Sequence, residues 1–173
     1  MDLNRLADVV ETMILQHDYP GFEPRSLKLG LPEDIEGGPA KLFSQALGHS
    51  NVYVKLAALR WFQDHPGMAK GHINAIKGLL VSDDEWVRLE TVKALERVNH
   101  PPKGIAFEIA HLLKDGNAEV RKEAAKACGK VMKRAKEKDE RVLEALKQAS
   151  LDAEAEVRWK AQKALRTLGE LAS

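Results

Sequence analysis

A short phrase returns four times along this chain. It reads Val54-Lys55-Leu56-Ala57-Ala58, Val87-Arg88-Leu89-Glu90-Thr91, Val120-Arg121-Lys122-Glu123-Ala124 and Val157-Arg158-Trp159-Lys160-Ala161. The valines stand 33, 33 and 37 residues apart. A unit of that length cannot bury an apolar face alone, so copies must stack on one another. One helix-turn-helix per period then builds an open solenoid rather than a closed core, and solenoids offer long surfaces to partners. The period therefore favours binding over catalysis.

Residues 3–17 carry Leu3, Leu6, Ala7, Val10, Met13 and Ile14 at helical spacing. Residues 18–39 break the pattern with Pro20, Gly21, Pro24, Gly30, Pro32, Gly37, Gly38 and Pro39, which argues against a continuous element. The same stretch holds Tyr19, Phe22, Leu27, Leu29, Leu31 and Ile35, so it is expected to pack on the protein, covering the first repeat or serving as a recognition loop. We therefore divide the chain into a capping segment, 1–38, and a repeat domain, 39–173.

Within the repeats, periodicity predicts first helices over roughly 39–48, 70–81, 103–114 and 140–150, and second helices over roughly 52–64, 85–98, 118–134 and 155–171. Ser82 with Glu85 has capping-box spacing, and Asn117 is placed to cap the helix after Gly116. Pro66-Gly67 and Pro101-Pro102 are expected to separate repeats, because proline cannot continue a helix interior. The four extra residues of the last period fall between Lys133 and Glu140, where a longer helix end or loop is tolerated.

Counting from each repeat valine as zero, position four is small (Ala58, Thr91, Ala124, Ala161) and lets helices approach. Position eight (Phe62, Leu95, Cys128, Leu165) fills the core between them, so Cys128 is read as a core residue and not a reactive thiol. Trp61, where later repeats have alanine, is expected to fill space against the N-terminal helix.

Phrases such as Glu119-Val120-Arg121-Lys122-Glu123-Ala124-Ala125-Lys126-Ala127-Cys128-Gly129-Lys130-Val131 resemble the second helix of HEAT repeats, in particular the short HEAT-like type of phycobilisome bilin lyases. The resemblance covers residues 39–171. It implies an all-α fold, a right-handed α-solenoid of about four helical hairpins, with the second helices lining the concave face. It also implies a ladder between neighbouring repeats, matched here by Asp115, Arg121, Asp152 and Arg158, whereas His49 and Ser82 replace the aspartate in the first two repeats. Function does not follow from the resemblance, because such repeats serve as scaffolds, adaptors, lyase subunits, hydroxylases and DNA glycosylases.

On that concave face, position six is basic in every repeat: Arg60, Lys93, Lys126 and Lys163. Such a row suits an acidic partner or a phosphate backbone. Glu90, Glu96 and Glu123 stand three residues from these lysines, so intrahelical pairing within an ordinary solvated face is the other reading. Tyr53 with Leu56, and Trp86 with Leu89, share helical faces. If exposed they would form an apolar patch rimmed by Arg60 and Lys93, the composition of an interface hot spot. If the 18–39 segment covers them, the patch is satisfied within the chain. Trp159 completes the aromatic set.

Lys and Arg total 27 against 26 Asp and Glu, and the balance runs from 11 basic and 14 acidic groups in residues 1–100 to 16 and 12 in residues 101–173. A polyanion-binding domain is usually far more basic. A single cysteine excludes an internal disulfide framework, and the N-terminus shows no secretory pattern, so a cytoplasmic setting is expected. The histidines at 17, 49, 65, 72, 100 and 111 have no metal-motif spacing, and no phosphate loop, nucleophile elbow or paired His-Glu dipeptide occurs. No catalytic residue, metal or cofactor is expected. Asp83, Trp86 and Trp159 are the only groups a glycosylase of this architecture would have to use.

The expectation is a non-catalytic protein–protein interaction module of the adaptor, scaffold or inhibitor type. Its partner would bind the concave face through Tyr53, Leu56, Arg60, Trp86, Leu89, Lys93, Lys126, Trp159 and Lys163. The competing readings are a nucleic-acid-binding protein or HEAT-like DNA glycosylase, and an accessory subunit of a bilin lyase.

Overall fold

In the computed structural model, residues 1–16 and 37–171 are described, and the expectation that the 18–39 segment covers the aromatic patch lies outside them for all but its last three residues. The described residues are helical throughout their regular elements. Helix α1 (Leu3–Gln16) buries Leu6, Ala7 and Val10 against α2 (Pro39–Ala46) and α3 (Val52–Asp64). Asn51, at the start of α3, also donates to Glu11 of α1 at 2.9 Å, fixing that helix to the first repeat.

Three further hairpins follow. The first element of repeat two is broken into α4 (Pro66–Ala69) and α5 (Ile73–Lys77), joined and followed by 3₁₀ turns, and α6 (Glu85–Arg97) returns. Repeat three pairs α7 (Ile105–Ala110), extended by a 3₁₀ turn, with α8 (Ala118–Ala135). Repeat four pairs α9 (Glu140–Ala149) with α10 (Ala155–Thr167). The second helices α3, α6, α8 and α10 stack consecutively in one layer, with the first helices behind them. One continuous core runs from Leu6 to Leu165.

The repeat positions explain the stacking. Val54, Val87, Val120 and Val157 are buried, as are all four small residues at position four and all four side chains at position eight. Cys128 is fully enclosed, its thiol donates to the Ala106 carbonyl, and burial pushes its pKa far up, which removes it as a nucleophile.

One local expectation needs correction, and two others gain detail. Pro66 stands at the boundary between repeats one and two as expected, and it does so by opening α4 at a first-turn position where the missing N–H costs nothing. The cap of α6 is Asp84, whose carboxylate accepts from Val87 N–H at 2.9 Å, while Ser82 Oγ accepts only from Asp84 N–H. Trp61 stacks on Phe43 of α2 at 4.8 Å and on His65 at 4.3 Å. Asn117 caps α8 as expected, and the same cap position is filled by Asn51 in repeat one.

The extra residues of the last period lengthen α8, which has 18 residues where α3, α6 and α10 each have 13. Lys136 ends it in the left-handed conformation, and Glu137 then turns back to accept from Gly104 N–H at the start of α7. The added turn carries Lys133 and Arg134, which places cations above the layer of second helices.

Candidate binding groove

The Arg–Asp ladder forms where both partners exist. Arg88 donates from Nε and Nη2 to both oxygens of Asp115 (2.7 and 2.9 Å), and its Nη1 donates to the Ser82 and Asp83 carbonyls. Arg121 repeats this with Asp152 (2.8 and 3.1 Å) and the Asp115 and Gly116 carbonyls. Each arginine thus closes its own turn and grips the next repeat. Burial works against the charge on Asp115, yet the Arg88 fork and the Asn117 N–H hold its carboxyl below the ordinary value. Asp152 is lowered chiefly by Arg121. These arginines are structural and are unavailable to a ligand.

With those groups committed, the free face of the second helices forms a groove of about 1170 Å³. Arg60 of α3, Lys93 and Arg97 of α6, and Lys126, Lys130, Lys133 and Arg134 of α8 line it, against three carboxylates, Asp64, Glu96 and Glu123. Glu96 and Glu123 are buried beneath the groove, while Asp64 is exposed at its edge. Asp64 lies between Arg60 (3.4 Å) and Arg97 (3.6 Å). Glu96, buried, holds Lys126 at 2.9 Å and Lys130, and Glu123 holds Lys126 at 2.7 Å. Arg97 and Arg134 reach the Gln63 and Val98 carbonyls at the C-terminal ends of the preceding second helices, where the helix dipole favours cations.

Burial opposes ionisation of Glu96, but the Glu123 hydrogen bond and the Lys130 and Lys126 ammonium groups bring its pKa down to about 2. Burial and the Glu96 carboxyl together push Glu123 up, with Lys126 opposing. Two carboxyls in contact share one proton in this way. Deeper still, Gln63 Nε2 donates to buried Glu90 at 2.7 Å, and Glu90 holds Lys93 at 2.6 Å. Gln63 Oε1 has no partner among the described residues.

A second cavity of about 570 Å³ adjoins the groove and shares Lys93, Glu123 and Lys126 with it. Leu89, Lys122, Trp159 and Lys160 contribute to its lining. Lys122 is held between Glu119 (2.6 Å) and Glu156 (2.8 Å). The Trp159 ring carries the Lys160 and Lys163 ammonium groups 4.6 and 5.0 Å from its centroid.

The structure places the expected residues unevenly. Arg60, Lys93 and Lys126 line the main groove, Trp159 and Leu89 the second cavity, and Lys163 a smaller hollow of about 190 Å³. Leu56 and Leu89 are only 2% and 5% exposed, so the wide apolar patch does not exist. Register is consistent with this: the Lys122–Glu156 pair shows position two of one repeat meeting position minus one of the next, the positions that Leu56 and Trp86 hold in repeats one and two. Tyr53 and Trp86 stay 38% and 48% exposed, yet neither lines these three cavities. Sequence reasoning passed over Lys133 and Arg134, whose only signal was the longer last period, and the contact between Glu96 and Glu123, which joins two repeats.

No group of three or more potential metal ligands occurs among the described residues, and no described helix is long and apolar enough to cross a membrane.

Comparisons agree with this architecture. The chain is similar to a designed armadillo repeat protein in complex with the peptide (KR)4, at 22% identity and a TM-score of 0.62, over 76% of this chain and 65% of that one. It is similar to two engineered proteins from a structural genomics programme: one at 22% identity and TM-score 0.58, over 75% of this chain and 62% of that one, the other at 21% and 0.61, over 75% and 63%. The chain therefore spans less than two thirds of the length of each, and at such identity the likeness is one of fold. No curated protein matches the chain. A family model described as HEAT repeats matches residues 75–166, from α5 to near the end of α10, and singles out no subtype. The chain belongs to the HEAT-repeat family.

Proposed function

We propose that this protein is a non-catalytic interaction module whose groove takes an acidic segment of a partner protein. The observation that carries the reading is the seven cations against three carboxylates in the main groove, with Glu96 and Glu123 buried beneath their lysines and Glu123 inclined to keep a proton. A partner carboxylate meets ammonium and guanidinium groups first. Charge complementarity of this kind steers encounter and excludes like-charged partners. The designed armadillo protein of the same fold holds a basic peptide; here the sign of the groove is the opposite. Tyr53 and Trp86, exposed at the starts of α3 and α6, extend the contact surface toward repeats one and two.

Nucleic acid fits less well. Five of the groove's cations already have carboxylate partners within 3 Å or share Asp64, and the chain's net charge is only +1. The test is fluorescence anisotropy with three probes: an alternating Glu/Ser peptide, (KR)4 and a short DNA duplex. The acidic peptide is expected to bind and (KR)4 not. Preferential, steeply salt-dependent binding of the duplex would transfer the groove to the nucleic-acid reading.

A further inference from the structure

Resting on that reading, we infer that the groove reads a composite motif: a run of carboxylates in the main groove, and one bulky apolar side chain seated in the adjoining cavity between Leu89 and Trp159. The two cavities differ in chemistry. The main groove carries the cationic excess. In the second, the cations are largely neutralised at close range, Lys122 by Glu119 and Glu156, Lys93 by Glu90, Lys126 by Glu96. What remains distinctive there is the half-exposed Trp159 ring, with the nearly buried edge of Leu89 across from it in the lining.

Trp159 is 50% exposed for a structural reason. In repeat three, position two holds Lys122, which Glu156 of the next repeat meets. Trp159 occupies that position in the last repeat, and its ring is met instead by Lys160 and Lys163 of its own helix. Two ammonium groups lie over the ring, which stays half exposed. An aromatic ring ringed by cations is the composition of a binding hot spot.

One extended chain can touch both cavities because Lys93, Glu123 and Lys126 line each of them. The second helices sit three interhelical steps apart from first to last, about 27 Å at 8–10 Å per step. An extended segment of about eight residues covers that span. The occupant is therefore a short acidic peptide segment with a single leucine-, phenylalanine- or tryptophan-like anchor.

The experiment uses dye-labelled, end-blocked peptides of about eight residues, alternating Glu and Ser, in which one Ser at a time is replaced by Leu or by Ala. At the matching position Leu is expected to tighten binding roughly tenfold over Ala, the effect of burying one aliphatic side chain. Trp159→Ala should remove that gain and leave the Ala peptides bound as before, while Trp159→Phe keeps most of it. Because Trp159 lies at the surface, melting temperatures of these variants should match the wild type and exclude misfolding. If every acidic peptide binds but Leu gives no gain at any position, or the gain survives Trp159→Ala, the anchor cavity is refuted and the acidic groove stands. If no peptide of the series binds at low salt, the acidic groove falls and this inference falls with it.

Discussion

Glu96 of α6 and Glu123 of α8 share the Lys126 ammonium group across the boundary between repeats two and three, at 2.9 and 2.7 Å, and their surroundings drive their protonation in opposite directions. Glu96 is held near 2 against burial by Glu123, Lys130 and Lys126, so its contribution to stability is present above its ordinary value of 4.5 and is lost as pH falls toward 2. Glu123, raised above 4.5 by burial and by Glu96, keeps its proton longer in the folded state than in the unfolded one, so stability declines as pH rises through that window. Glu123→Gln replaces the protonated carboxyl by a neutral group of the same shape. Its melting temperature should gain on the wild type as pH rises above 4.5. A difference that stays constant as pH rises would show that Glu123 takes no part in the pH dependence.

The ladder offers an internal comparison. Arg121 makes both halves of its contact, to Asp152 and to its own turn carbonyls, whereas Arg158 is seen donating only to the Asp152 and Ala153 carbonyls. Arg121→Ala strands a largely buried carboxylate and should cost about 2–3 kcal/mol, a fall of roughly 5–10 °C in Tm. Arg158→Ala should cost less than half as much. Peptide affinity should be unaltered in both, because neither arginine lines the main groove. Equal losses from the two variants would show that the inter-repeat half contributes nothing. The same pairs predict acid sensitivity, since Asp115 and Asp152 both sit below their ordinary value of 3.8 and their contribution vanishes as pH falls through the folded-state values.

How far the architecture could be read in advance follows from where its signals lie. Position zero, four and eight residues are selected by contacts that recur in every repeat, so the period exposes them, and all of them are buried. The Asp115 and Asp152 rungs were readable for the same reason. The broken first element of repeat two was not, because Gly67, Gly71 and Gly78 weaken a helix without abolishing its apolar pattern. The groove was half readable. Position six named three of its cations, but Leu56 and Leu89 looked available only because a single helix cannot show what the next repeat lays over it. The Glu96–Lys130 and Glu96–Lys126 pairs are of the same kind: they join residues thirty or more positions apart in different repeats.

Gly129 stands at a position held by Gln63, Glu96 and Arg166 in the other repeats, and there α8 meets α10 closely. A Cβ added to it would lie 2.8 Å from Ala164 Cβ and 3.0 Å from Ala164 Cα. Alanine gains about 1 kcal/mol of helix propensity, but the helices must separate to admit it, at a cost of about 1–3 kcal/mol. Gly129→Ala should therefore be neutral to destabilising in thermal melts, and Ala164→Gly in the same chain should recover the steric part, giving a positive coupling in a double-mutant cycle. A clear rise in Tm for the single variant would mean the helices are not in contact there.

The longer α8 supplies the last prediction. Its extra turn brings Lys133 and Arg134 to the groove, and among the described residues neither has a carboxylate partner. Arg134 makes only carbonyl contacts, to Lys130 and Val98. These two cations are thus free to meet a ligand carboxylate without first breaking an existing pair, unlike Lys93, Lys126 and Lys130. Lys133→Glu with Arg134→Glu should weaken an acidic peptide at least tenfold at low salt, with the loss shrinking as salt is added, because exposed charges are screened beyond about 10 Å at 0.1 M. Lys163→Glu, in the adjoining hollow and outside the main groove's own lining, should weaken it less. Unchanged melting temperatures would assign the effect to the surface, and equal affinity for wild type and double variant would place the acidic ligand somewhere other than this groove.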